Sequence, residues 1–165
     1  MTEFSPVEQH CLRAAEGWLE LGSPHEAEAE LAGLSPAAQR HPTVLELRWQ
    51  IHARHGQWDA GEEVARALTK IAPHQPVGWI HLSYALHELK RTQEAWDNLL
   101  AAVAVFPDEP TMPYNLACYA CQLGNPAGAR HWLKRALKLD HTNAVKPMAL
   151  ADPDLRPLWP EITEL

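Results

Sequence analysis

The side chains of this sequence with the most chemical potential are two thiols. Cys118 and Cys121 form a C-x-x-C within YNLACYACQLGNPAGA. Three residues apart on a helix, they share a face and could grip one metal ion, although four-coordinate zinc demands two further ligands. A redox pair demands instead a thiol whose pKa is lowered by the N-terminus of a helix. The third reading is that both are small packed hydrophobes, which free cysteine commonly is. Ten histidines are the other ligand candidates, and they scatter along the chain, several at expected helix junctions. No H-E-x-x-H, glycine-rich phosphate loop or G-x-S-x-G occurs. No motif places serine, histidine and acidic side chains within mutual reach, so the chain reads as a non-enzyme that needs no cofactor.

The elements that position these residues are bounded first by composition. With 165 residues, 46% of them hydrophobic, the chain is long enough for one domain with a core that needs no staples. Three cysteines are too few and oddly numbered for a disulfide framework, which fits a reducing compartment. No apolar run of about eighteen residues occurs, and MTEFSPVEQH lacks the basic flank and apolar stretch of a signal peptide. The expectation is a cytoplasmic protein without membrane insertion. A formal charge of -7 argues against nucleic acid and anionic lipid as partners. Residues Glu3 to Glu30 are acidic against Arg13 alone, whereas Arg130, Lys134, Arg135, Lys138 and Lys146 make a basic C-terminal region. Solvated faces explain that asymmetry more simply than a head-to-tail contact.

A constant period organises the chain. Ala27, Gly61, Ala95 and Ala129 are small residues 34 apart. Pro42, Pro76 and Pro110 keep the same interval, as do the apolar Leu31, Ala65, Leu99 and Leu133. Gly22, Gly56 and Gly124 make a turn column whose fourth member is Lys90. Proline suits the first turn of a helix, where its missing N–H has no partner to lose, so each proline should open a helix. Helical apolar spacing follows, as in Trp79, Leu82 and Leu86; glycine then ends the helix and a second begins. Each unit is a helical hairpin with a small residue where its two helices approach most closely.

These columns resemble the tetratricopeptide repeat (TPR). The third repeat matches best, through Trp79, Leu82, Ser83, Leu86, Ala95, Leu99, Ala102 and Pro107. The fourth matches through Leu116, Ala117, Gly124, Ala129, Leu133 and Ala136, with Pro113 in place of the expected first large residue. The second matches through Leu45, Gly56, Trp58, Leu68 and Pro73. The first is weakest, and Gly33 and Pro36 should shorten its second helix. The resemblance, over roughly Glu8 to His141, implies an all-α fold: a right-handed superhelical α-solenoid of four hairpins, at about 8–41, 42–75, 76–109 and 110–143, in a single domain. A cap is expected within 144–165, with a helix from about Asn143 to Leu150 and a turn at Pro153. Leu155, Leu158 and Trp159 should tuck against the last repeat, because an open array must shield its ends. YNLAC followed by D-P-D-L is similar to the ends of many bacterial TPR proteins. Trp49 departs from a column otherwise Ala15, Ser83 and Ala117. It is expected to face Gly61, large against smallest, at nearly constant summed volume.

In the TPR family the first helix of each hairpin lines a concave groove suited to an extended peptide or a partner helix. By register that lining includes Glu46, Gln50, His81, Tyr84, His87, Tyr114, Asn115 and Cys118. The expected partner is a protein or peptide, bound by an adaptor without catalysis. A narrower alternative is a chaperone like those of type III secretion, although Met1 to Pro6 is short for the dimerisation helix such chaperones carry. The carboxylate clamp of chaperone-binding TPR proteins is absent: its positions read Leu12, Glu16, Leu47, Val77 and His81, or Glu46, Gln50, His81, Thr111 and Asn115, with no fixed cation. Cys118 and Cys121 fall in the second half of a first helix, the wrong end for a redox pair. Packing or groove lining is the preferred reading, and a metal site completed by His81 and His87 is the alternative.

Overall fold

The computed structural model describes residues 4–164; Met1 to Glu3 of the N-terminal segment lie outside the described residues. The described residues form ten α-helices and two 3-10 segments, and no strand occurs among them. The helices are α1 (Pro6–Glu20), α2 (Pro24–Ala32), α3 (Pro42–Arg54), α4 (Trp58–Ile71), α5 (Pro76–Glu88), α6 (Thr92–Ala102), α7 (Thr111–Gln122), α8 (Pro126–Leu139), α9 (Val145–Ala151) and α10 (Trp159–Glu164). The 3-10 segments are Ala38–Arg40 and Pro153–Leu158.

Local chemistry sets these boundaries. Pro42 and Pro76 are the first residues of α3 and α5, and Pro110 is the N-cap of α7, one residue ahead of it. Ser5 and Glu8 form a capping box at the start of α1, each satisfying a backbone N–H near the other. Nine residues long, α2 ends at Gly33, whereas α4 and α8 run for 14 residues. All four hairpin turns close identically: Ser23 donates to the Trp18 carbonyl at 2.8 Å, Gln57 to His52 at 2.9 Å, Arg91 to Leu86 at 2.9 Å and Asn125 to Ala120 at 2.8 Å. This six-to-one bond requires a left-handed residue just before the donor. Gly22, Gly56 and Gly124 supply it with φ of 75°, 65° and 74°, and Lys90 is forced into the same geometry at φ 64°.

The chain divides into two compact units, Met1–Ala85 and Leu86–Leu165, where one domain is expected from the sequence. Repeat units contact mainly their neighbours, so an array of this kind offers more than one place to cut. In the first unit α1 packs on α2, α3 on α4 and α2 on α3. Ala15, Ala27, Leu31 and Val44 are wholly buried between them. Gly61 faces Trp49 as expected: a Cβ placed there would lie 3.6 Å from Trp49 Nε1 and 4.0 Å from the Ala85 Cβ. A second small residue, Gly78, belongs to none of the repeat columns. Its missing Cβ would come within 3.0 Å of both the Leu68 Cβ and the Thr69 backbone nitrogen, so α4 and α5 touch there nearly backbone to backbone.

In the second unit α7 is the central helix, in contact with α6, α8 and the Pro153–Leu158 segment. Every residue from Met112 to Ala120 is buried. Helix α9 starts two residues later than expected, at Val145, and Asp152 caps the following turn by accepting from the Asp154 backbone N–H at 2.9 Å. Leu155, Leu158 and Ile162 are wholly buried, and Trp159 donates its indole N–H to the Ala149 carbonyl at 3.0 Å. The basic side chains of α8 are solvated; Arg130 pairs with Glu161 at 2.6 Å on the surface.

Candidate functional site

The first-helix faces of the two units differ in what covers them. In the first unit, Glu46 and Gln50 line a cavity of about 270 Å³ together with Glu16, Glu20, Thr43 and Arg54. Partial burial, and then the nearby Glu16 carboxylate, push the pKa of Glu46 above its ordinary value. On α5, Tyr84 is 40% exposed, its ring 5.6 Å from Trp58 and 6.0 Å, edge on, from Trp49. His81 is half-buried and stacks face to face on Trp49, with centroids 3.7 Å apart and planes 3° from parallel. Burial lowers its pKa to about 4, so the ring is neutral near neutrality and serves as an aromatic surface.

In the second unit, His87, Tyr114, Asn115 and Cys118 are all buried, not open to a partner as the register suggests. What shields them includes the chain's own C-terminal segment. Tyr114 donates its hydroxyl to Asp152 Oδ2 at 2.8 Å, and Cys118 donates to the same oxygen at 3.5 Å. His87 Nε2 lies 2.9 Å from Asp154 Oδ2 and its Nδ1 lies 3.0 Å from Thr92 Oγ1. An ionised carboxylate only accepts, so Nε2 carries a proton and donates it to Asp154. Asp152 and Asp154 thus contact three of the predicted groove residues, a pairing that sequence reasoning did not make. The D-P-D-L motif was visible; its reach onto α7 was not.

The same geometry bears on the thiols. Burial, followed by the Asp152 carboxylate, drives the Cys118 pKa well up, and burial followed by Asp154 raises that of Cys121. Both effects hold the protonated form, the opposite of what a reactive or metal-binding thiolate needs. Tyr114 likewise stays a protonated donor, its pKa raised well above the usual range by burial and by the bond to Asp152. Among the described residues no group of three or more His, Cys, Asp and Glu side chains is arranged to hold a metal ion. No described helix is long and apolar enough to cross a membrane.

Comparison with solved structures gives this architecture its name. TTC0263, a thermophilic TPR protein of Thermus thermophilus, superposes with a TM-score of 0.73 over 96% of this chain and 100% of its own, at 20% identity. The chain has the TPR fold. PilF of Pseudomonas aeruginosa matches with a TM-score of 0.75 over 96% of this chain and 70% of its own, at 18% identity. PcrH, solved in complex with the chaperone binding region of PopB, matches with a TM-score of 0.57 over 80% of this chain and 97% of its own, at 20% identity. No family model matches the sequence, and no curated protein matches it. In TPR terms, the first helices of the second and third repeats carry Glu46, Gln50, His81 and Tyr84, and that of the fourth lies beneath the D-P-D-L turn.

Proposed function

We propose that this TPR chain is a non-catalytic adaptor that binds a segment of a partner protein, and that it does so on the first-helix face of its first unit. The observation that supports this is the cavity beside Glu46 and Gln50, left open where the equivalent face of the fourth repeat is covered. Exposed Tyr84 adds an aromatic surface with a hydroxyl at its tip, the kind of side chain that contributes most per residue at protein interfaces. Under this reading the protein is bacterial and cytoplasmic and engages neither nucleic acid nor a bilayer. Its net charge of -7 supports the first of those exclusions.

A chaperone role is the second reading, and the likeness to PcrH, itself solved with a chaperone binding region, favours it. The two readings differ in the fate of the partner. An adaptor holds a folded partner, whereas a chaperone keeps its client from aggregating. Affinity capture from the native host identifies the main partner, and titration of that partner against Glu46→Lys and Tyr84→Ala tests the face. A drop in affinity of tenfold or more, about 1.4 kcal/mol, is expected for either change. Unchanged affinity for both variants, with folding intact by circular dichroism, would show that the partner binds elsewhere.

A further inference from the structure

We propose that the α7 face of the second unit is a second peptide site, specific for an acid-x-acid-Leu segment and occupied at rest by the chain's own Asp152–Leu155. The assignment rests on reading the first-helix faces as binding surfaces. Tyr114, Cys118 and His87 are each more than nine-tenths buried, and the Tyr114 hydroxyl, the Cys118 thiol and His87 Nε2 all bond to the two carboxylates of one short motif. Leu155, Leu158 and Ile162 give the lid its apolar contact, and in addition α7, with His87 at the end of α5, meets it with hydrogen-bond donors, a need that an apolar occupant could not fill.

Chemistry makes such a site selective. Buried donors left without acceptors are unfavourable, so an occupant lacking carboxylates at the two positions leaves Tyr114 and His87 unsatisfied. An occupant that has them, followed by an apolar residue for the space of Leu155, restores every contact. The cis segment is joined to α8 by a short exposed stretch. Residues 141–144 form an exposed connection, anchored at its start by Asp140, which accepts from the Thr142 and Val145 backbone N–H groups at 2.9 and 2.7 Å. The kind of partner that fits is a flexible acidic stretch of another protein, read by tyrosine, thiol and imidazole donors and not by the lysines and arginines of a carboxylate clamp.

The probe is a fluorescent peptide spanning residues 150–164, titrated into the full chain carrying Asp152→Ala and Asp154→Ala. Saturable binding is expected, and loss of it when both aspartates of the peptide are also replaced by alanine. Wild-type chain should bind the peptide about a hundredfold more weakly, if its own segment leaves the site open about 1% of the time. Absence of binding to a folded variant overturns the proposal. So does concentration-dependent dimerisation that the peptide abolishes, which would make a second copy the occupant. Should the variant not fold, hydrogen exchange of the wild-type chain decides: amides of 155–162 should exchange tenfold or more faster than those of α7, and equal protection would make the segment a permanent cap. None of these readouts depends on Glu46 or Tyr84, so failure here leaves the first-unit reading standing, and the reverse.

Discussion

The two units treat the same helical face in opposite ways. In the first, Glu46 and Gln50 border an open cavity and Tyr84 stands partly in solvent. In the second, Tyr114 and Cys118, which by repeat register should behave alike, are sealed against Asp152 and satisfied by it. Register assigns a position to a face; it does not say whether that face meets solvent, a partner or the chain itself. The difference arises because the second unit has a tail long enough to fold back, with two carboxylates and a leucine at the right interval.

The largest way to break this contrast is to empty the closed face. Leu155→Ala should destabilise the protein by about 2–5 kcal/mol in a denaturant melt, because Leu155 is wholly buried and its loss leaves a cavity. A loss below about 1 kcal/mol would mean that the segment is not part of the core of the second unit.

The first unit is tested by crowding. Gly61→Leu should lose about 1–3 kcal/mol by driving into the Trp49 ring. Gly61→Ala should be neutral or gain up to about 1 kcal/mol, since its Cβ would sit at ordinary contact distance and alanine is the better helix former. Glu63 is the exposed control on the same helix, where leucine should change stability by less than about 0.5 kcal/mol. Glu62, next to it in sequence, is unsuitable as a control because it is half-buried and paired with Arg66 at 2.6 Å. If the leucine variants at 61 and 63 melt alike, the register of the second repeat is misplaced.

The neutral, stacked state of His81 sharpens the picture further. Its folded pKa of about 4 lies below the ordinary 6.5, so the unfolded chain takes up a proton that the folded one refuses. That contribution to stability is complete above pH 6.5 and is lost as pH falls toward 4, to the extent of about 3 kcal/mol. His81→Phe keeps an aromatic ring against Trp49 and removes the titration. Melts of the variant should therefore be flatter than wild type across that window; equal slopes would mean that His81 is not held neutral. The smallest effect expected is at the turn of the third repeat. Lys90→Gly relieves a left-handed lysine and should stabilise by about 1 kcal/mol or less, measurable as a rise in Tm.

Much of the fold is legible from residue spacing because hairpin packing is local and repeats. Small residues at 27, 61, 95 and 129 sit where two helices cross, and all four are buried. Even the Trp49 and Gly61 exchange is readable, as a volume argument within one hairpin. Three features escape. Gly78 is a contact between successive hairpins with no column to announce it. The stacking of His81 on Trp49 depends on which rotamer a crowded aromatic adopts. The bonds from Tyr114 to Asp152 and from His87 to Asp154 join residues 38 and 67 apart in sequence, through a tail that belongs to no repeat.

By itself the sequence determined the hairpins, their period and the helix that carries each candidate side chain, because these follow from neighbours within about one repeat. Tertiary structure alone decided which of those side chains face water. That choice depends on the path of the last twenty residues, and it was made by burial of Leu155, Leu158 and Ile162 against the second unit, a long-range gain in apolar contact that no local pattern encodes.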